Sequence, residues 1–226
     1  MSEDVQSKDG LLKYEPLSKL AVDILRQDII QGRLEPGTKQ TEDGISKKLG
    51  VSRVVIREAL IVLETEGLLV KERNKFTLVA SFTKQDIIDI YDIRVALETY
   101  AATILLRNSA DIAPILRDKV KALKEFFDSG AGSLGEFVRY DIDFHRKIIE
   151  YTGNSRLIGI WNGIESQLLT LLFKFVKGQS REFLENIMQY DHDKVIAAFE
   201  GKDLNVIRNV LTEHTNDVLE YLIVLD

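Results

Sequence analysis

In this 226-residue chain, the fold of the N-terminal part is indicated most clearly by GVSRVVIREALIVLETEGLL, residues 50–69. Gly50 can end one helix in the left-handed conformation, and Ser52 can cap the start of the next. Apolar residues then recur at helical spacing as far as Gly67, which predicts a helix over residues 53–66. A helix, a tight turn and a second helix are the order of a helix-turn-helix.

The segments on either side complete the arrangement of a winged helix-turn-helix. Upstream, an amphipathic helix is predicted over residues 17–31 and a short helix over residues 41–49. Downstream, β-favouring residues on both sides of a charged tip predict a short hairpin. Residues 16–80 are therefore predicted to form a winged helix-turn-helix domain with a two-stranded wing, preceded by a polar arm, residues 1–15.

Two surfaces of this domain carry residue types that suit DNA. A helix that enters the major groove needs short polar residues and arginine near its N-terminus, because arginine can bond guanine bidentately or anchor on phosphate. Basic residues on a wing can reach the backbone or the minor groove. The predicted DNA-contacting residues are Ser52, Arg53 and Arg57 on the helix, and Lys71, Arg73 and Lys75 on the wing. The alternative is that these are ordinary solvated charges.

The charge of the chain is unevenly distributed. The net charge is −6, yet residues 16–80 hold 11 basic and 9 acidic side chains, so the acidic excess lies elsewhere. A weakly basic N-terminal third on an acidic body is typical of a DNA-binding domain joined to a domain of another kind. Cysteine is absent, the N-terminus is polar, and no apolar run is long enough to cross a membrane. We therefore expect a cytoplasmic protein without a membrane partner.

After Ser81 the sequence changes to long amphipathic segments without strand signals. Glycine, asparagine and serine separate these segments, which is typical of helices joined by short loops. We predict helices over residues 83–107, 110–129, 133–152, 154–177, 180–200 and 202–224. Residues 83–226 are thus predicted to form an all-α bundle, and the fold class of the whole chain is mainly α.

Four residues of types that bind metals fall on the apolar stripes of three of these helices. Asp141 and His145 are four residues apart on one face, whereas His192 and His214 occupy stripe positions in the last two helices. A buried carboxylate and buried imidazoles need partners. One carboxylate and three imidazoles suit zinc or nickel, with manganese as a further candidate. The alternative is a hydrogen-bonded Asp–His pair and two unrelated core histidines.

A basic residue also interrupts an apolar stripe. Arg94 lies at helical spacing from buried positions of the first bundle helix, and a buried guanidinium requires a carboxylate or phosphate partner. That partner is either a protein carboxylate, for instance Glu98, or an anionic small molecule held by Arg94 and the metal together. Gln167, beside another apolar stripe, is predicted to add a hydrogen bond to such an effector.

The N-terminal motif closely resembles the GntR family of bacterial regulators. The resemblance is carried by GVSRVVIREAL at residues 50–60, EGL at 66–68 and GRLEPG at 32–37, taken as a set. One departure lies at Glu42-Asp43-Gly44-Ile45, where that family often has Glu-Arg-Glu-Leu with an arginine that touches DNA. The resemblance implies a DNA-binding regulator whose operator differs at that contact.

The second part of the chain resembles the FCD-type ligand-binding domain of the FadR-like branch of that family. The matching positions are Arg94-x-x-x-Glu98, Asp141-x-x-Phe144-His145, Gly153-Asn154, His192 and His214. The resemblance implies a six- or seven-helix bundle and a metal at the Asp-His-His-His set, which favours the metal-binding subgroup over the acyl-CoA-binding one. It also implies a carboxylate effector that completes the metal coordination, and a homodimer on a palindromic DNA operator.

These features together predict a transcription regulator whose affinity for double-stranded DNA is modulated by a small organic acid. One alternative is a metal-responsive regulator with no organic effector. Another is a metal-dependent hydrolase, because a metal held by one carboxylate and three imidazoles can activate water. We expect no enzyme, since no further Glu or His lies on the same stripes to act as general base.

Overall fold

The computed structural model describes residues 16–72, 76–130 and 132–224, and the side chains of residues 185–190 lie outside that description. The elements, in chain order, are α1 (Leu17–Ile30), β1 (Lys39–Gln40), α2 (Glu42–Leu49), α3 (Arg53–Thr65), β2 (Leu69–Glu72), β3 (Phe76–Val79), α4 (Lys84–Arg107), α5 (Ala113–Ser129), α6 (Leu134–Glu150), α7 (Ser155–Lys177), α8 (Arg181–Gly201) and α9 (Leu204–Val224). The predicted mainly α fold, with an N-terminal winged helix-turn-helix and a C-terminal helical bundle, is confirmed.

The turn between α2 and α3 forms as its sequence predicts. Thr41 caps α2 by accepting a hydrogen bond from the backbone of Gly44, and Ser52 caps α3 by accepting one from Val55. Gly50 closes α2 with φ at +70°, a left-handed conformation that glycine adopts without steric cost. These local signals fix where α3 begins, and therefore which of its side chains face outward.

The wing contains one strand that the sequence pattern did not indicate. β2 and β3 form the predicted antiparallel hairpin, and β1 pairs with the other edge of β3, so that the sheet order is β1-β3-β2. A two-residue strand is too short to show alternation, and only its pairing with β3 defines it. The sheet and the buried faces of α1 and α3, including Leu25, Ile56 and Leu63, enclose a small hydrophobic core.

Helices α4 to α9 form the bundle and share a second, larger core. α4 packs against α9, α6 packs against α7, and α5 lies across α6 and α8. The core contains large buried side chains such as Trp161 and Phe137. Helix α5 begins three residues later than predicted, because Pro114 occupies its first turn and Asp111 accepts the backbone N–H of Ala113. Within the described residues, every helix is too short or too polar to cross a membrane.

Candidate metal centre and DNA-binding surface

Four polar side chains meet in the interior of the bundle. Asp141 and His145 project from α6, His192 from α8 and His214 from α9, and all four residues are buried. One potential ligand atom from each lies within 4.8 Å of the others. Helical spacing alone placed these residues on buried faces, and the packing of three helices brings them to one point.

The contacts within this cluster satisfy only some of its polar atoms. His192 Nε2 lies 3.2 Å from Asp141 Oδ1, but the two atoms are not aligned for a hydrogen bond, and neither has a partner among the described residues. His214 Nε2 and His145 Nε2 share a hydrogen bond of 3.0 Å, whereas His214 Nδ1 has no partner within the described part of the chain. Unsatisfied polar atoms inside a protein core are costly, on the order of 1–3 kcal/mol each. This cluster therefore has the chemistry of a site that an additional atom would complete.

Glu98 links the cluster to Arg94. Its Oε2 accepts a hydrogen bond from His145 Nδ1 at 2.8 Å, and its Oε1 accepts one from Arg94 Nε at 2.9 Å. Because Nδ1 of His145 carries the donated proton, its Nε2 presents a lone pair to the cluster. A carboxylate in this position orients a metal-binding histidine and raises its basicity.

The protonation states of the cluster suit a cation. Burial alone raises the pKa of Asp141, but the two neighbouring imidazoles and Arg94 outweigh burial and hold that pKa below its usual range. Burial, with repulsion from Arg94, lowers the pKa of His145. Burial, with repulsion from the other two imidazoles, lowers the pKa of His214 further. Near pH 7 the carboxylate is ionised and these two imidazoles are neutral, which are the forms that bind metals.

Arg94 is almost fully buried, and its hydrogen-bonding capacity is only partly used. The side chain is 2% exposed, and its Nε is bonded to Glu98, yet its Nη2 has no hydrogen-bond partner among the described residues. The hydroxyl of Tyr91, one turn earlier on α4, is also buried, and no described residue bonds it. The predicted alternative of a salt bridge with Glu98 is therefore present, and it leaves donors on the same helix that a bound anion could use.

We expect Glu98→Gln to weaken zinc or nickel binding about 10- to 100-fold, the usual effect of losing a carboxylate behind a metal-binding histidine. The amide oxygen of glutamine can replace only one of the two acceptors that Arg94 and His145 use. Calorimetric titration of metal into metal-free protein measures the change. Glu213→Gln, an exposed acid beside His214, is the matched control and should bind like wild type. Equal affinities for all three proteins would contradict a positioning role for Glu98.

The N-terminal part presents a second candidate surface. Arg53 and Arg57 lie on the exposed face of α3, and Ser52, its N-cap, is exposed as well. The apolar side chain of Val54 is 64% exposed on the same helix. Lys71 is exposed on β2, whereas the predicted contacts Arg73 and Lys75 lie outside the described residues. The sequence did not indicate that both arginines of α3 are paired with acids of α2, although Glu42 and Asp43 stood out as a departure from the family pattern.

A third polar cluster joins the two parts of the molecule. Glu66, at the C-terminus of α3, accepts hydrogen bonds from Arg26 of α1 and Ser166 of α7. The amide of Gln167 donates to the backbone carbonyl of Glu66 at 3.0 Å. The structure thus places Gln167, predicted as an effector contact, against the N-terminal domain. We call Arg26, Glu66, Ser166 and Gln167 the junction.

The glycine that follows Glu66 allows this close approach. Gly67 has φ at +70°, and a Cβ atom on it would lie 2.5 Å from Gln167 Nε2. Any other residue would be strained at this φ, and its Cβ would displace the amide of Gln167 from its present position. The motif that ends α3 is thus also a docking point for the bundle, which no periodicity in the sequence reveals.

A winged helix-turn-helix joined to a helical bundle with a buried polar cluster defines a DNA-binding transcription regulator. The comparisons with known proteins agree. Residues 17–79 match the bacterial regulatory proteins of the gntR family, and residues 89–217 match the FCD domain. This chain therefore belongs to the GntR family, with an FCD domain. Regulators of this family bind DNA operators and typically act as dimers.

Individual relatives cover nearly the whole chain. The gluconate operon transcriptional repressor of Bacillus subtilis (strain 168) is 30% identical over 222 residues, which span 95% of this chain and 90% of that protein. Among solved structures, a putative transcriptional regulator GntR from Rhodococcus sp. RHA1 has a TM-score of 0.75 at 18% identity, covering 92% of this chain and 98% of that one. E. coli McbR/YncC has a TM-score of 0.74 at 19% identity, covering 92% and 97%. The two structures support the fold.

Proposed function

We propose that this protein is a metabolite-responsive regulator whose affinity for a palindromic operator changes when a small carboxylate binds at a metal site in the bundle. In this proposal residues 16–80 bind DNA, and residues 83–226 bind metal and effector and hold the homodimer together. The observation that carries it is the buried set of Asp141 and three histidines, connected through Glu98 to an arginine with an unpaired donor.

The donor set fits a divalent ion. Neutral imidazoles and one carboxylate are the ligands of zinc and nickel, and manganese remains a further candidate. A bound ion would give Asp141 Oδ1 and His192 Nε2 the partner that they lack among the described residues. Bound there, the ion would act as a Lewis acid that attracts the carboxylate group of an organic acid.

Arg94 favours an organic effector over a response to metal alone. In a site that bound only a cation, Arg94 would hold Glu98 in place but would also repel the ion, since like charges repel. An acid, by contrast, would supply the acceptor that Arg94 Nη2 and the Tyr91 hydroxyl both lack among the described residues. The name of the Bacillus subtilis relative makes gluconate, a polyhydroxy carboxylate, the first acid to test.

The junction provides a physical route from effector to DNA. Helix α7 packs against α6, which carries Asp141 and His145, and α7 also holds Ser166 and Gln167 at the junction. Both side chains donate hydrogen bonds to Glu66 at the end of α3. A small shift of α7 on ligand binding would therefore change the placement of α3, and with it the spacing of the two recognition helices in a dimer.

The proposal is tested with an operator obtained by selection from a randomised duplex library. Addition of gluconate or another organic acid to the metal-loaded protein is expected to change operator affinity about 5- to 150-fold, the usual range of allosteric coupling. Fluorescence anisotropy of labelled operator measures the change. Operator affinity that is indifferent to every acid and to metal removal would refute the switching mechanism.

The variant Gln167→Ala separates effector binding from its transmission. It should bind metal and acid as wild type does, because Gln167 contacts the N-terminal part, yet its operator affinity should respond less to the acid. The matched control is Gln179→Ala, because Gln179 follows the C-terminal end of α7. A full response in Gln167→Ala would place the coupling elsewhere.

A further inference from the structure

The two arginines on the exposed face of α3 do not project freely. Arg57 donates from Nε to Glu42 Oε1 and from Nη2 to Glu42 Oε2, both at 2.8 Å. Arg53 donates from Nη2 to Asp43. Both acids lie in the first turn of α2, where negative charge is favourable at a helix N-terminus. The acidic pair of α2 therefore contacts the face of α3 that is proposed to enter the major groove.

The Glu42–Arg57 contact leaves one edge of the guanidinium available. A guanidinium has a side edge, formed by Nε and Nη2, and an end edge, formed by Nη1 and the second hydrogen of Nη2. Glu42 occupies the side edge with both carboxylate oxygens. The side chain of Arg57 remains 63% exposed. Its end edge can therefore still meet the O6 and N7 acceptors that guanine presents in the major groove.

We propose that Glu42 is a specificity-determining residue of operator recognition, which holds Arg57 by its side edge so that the end edge reads one guanine in each half-site. This inference rests on the proposed DNA-binding surface. Arg57 is the reader, and Glu42 acts through it as a positioning residue.

Two physical effects make this pairing increase specificity. First, an unheld arginine samples many rotamers and can bond any nearby phosphate, whereas a guanidinium fixed by a bidentate carboxylate loses less freedom when it meets a base. Second, the charge of Glu42 repels phosphates and so weakens binding to every duplex regardless of sequence. The pairing thus lowers non-specific affinity while it preserves the contact with guanine.

The experiment compares the full-length protein and four variants on one set of DNAs. Wild type first selects an operator from duplexes with a randomised 20-base-pair centre, a length of about two helical turns that suits two half-sites. Affinity is then measured for that operator, for operators with each guanine replaced in turn, and for an unrelated duplex. Because Arg57 is exposed and Glu42 is only half-buried, the variants are expected to fold, and thermal unfolding checks this.

Removal of the carboxylate should reduce discrimination at one symmetric pair of guanines. Wild type should bind the operator about 5 to 100 times more tightly than an operator in which that guanine is replaced, the range of one good bidentate contact. Glu42→Gln should lose most of this preference and bind the unrelated duplex more tightly. Arg57→Lys should lose the preference as well. Asp43→Asn, the same change one residue away, should leave the preference at that position unchanged.

Glu42→Asp separates geometry from charge. It keeps the negative charge but shortens the side chain, so it should lose discrimination without a gain in non-specific affinity. Discrimination retained in Glu42→Gln, with a uniform gain in affinity for all duplexes, would show that Glu42 only masks Arg57 and would overturn the inference. If wild type selected no sequence at all, operator recognition itself would fail, and the inference with it.

Discussion

Addition of zinc or nickel to the metal-free protein is expected to raise its thermal unfolding midpoint by about 5–10 °C when the metal is at 100 times its dissociation constant. At that excess, binding to the folded state alone adds about 2.7 kcal/mol, and each kcal/mol shifts the midpoint of a chain of this size by about 2–4 °C. The reason is that the four ligands come together only when α6, α8 and α9 are packed, so that the unfolded chain offers no comparable site.

The control for this result is an isosteric change on the same helix. Asp141→Asn keeps the shape of the side chain but removes the only anionic ligand, so the metal-dependent shift should largely disappear. Asp143→Asn, at a half-exposed position of α6 paired with Lys119, should retain the full shift. A shift of equal size in Asp141→Asn would mean that the ion binds elsewhere on the protein. Differential scanning calorimetry at several metal concentrations measures both.

Arg53→Ala is expected to weaken operator binding by about 30-fold to 10⁴-fold in the dimer, because each subunit would lose a contact worth about 1–3 kcal/mol. Arg53 lies at the first position of α3, directly after the Ser52 cap, and its side chain is 66% exposed. Truncation of this side chain therefore creates no cavity, and the unfolding midpoint should change little.

The matched control for Arg53 lies far from the proposed DNA surface. Arg117 of α5 is similarly exposed and is paired with one acid, Glu200. Arg117→Ala should bind the operator like wild type, as measured by anisotropy at fixed salt concentration. If Arg53→Ala weakened the operator and an unrelated duplex equally, its contact would be with phosphate rather than with a base. Unchanged binding to both would exclude Arg53 from the interface.

The two arginines proposed to contact DNA could be predicted from the sequence, but their acidic partners could not. Arg53 and Arg57 were both predictable from the sequence, since they lie on one face of a helix that follows a cap and a tight turn. Their pairing with Asp43 and Glu42 was not, because residues 10 and 15 positions apart meet only when α2 packs across α3. In the sequence, Glu42 and Asp43 indicated only that a DNA contact of the family is missing. In the structure, they lie beside Arg57 and Arg53.

The same limit applies to the bundle. The period of 3.6 residues identified Asp141, His145, His192 and His214 as buried, but it could not show that their helices are neighbours. Glu98 appeared in the sequence only as one candidate partner for Arg94, yet it also bonds His145, 47 residues away. The hydrogen bond of Gln167 to Glu66 at the junction could likewise not be predicted from periodicity.

The helices, the turn between α2 and α3, the winged helix-turn-helix and the buried face of each bundle helix were predictable from the sequence, because hydrophobic periodicity and capping depend on residues within a few positions of one another. Which polar side chains meet was established by helix packing alone: the four-residue cluster, the Arg94–Glu98–His145 chain, the Glu42–Arg57 pair and the junction at Glu66. Those contacts join residues distant in the chain, and their existence depends on how whole helices pack against one another.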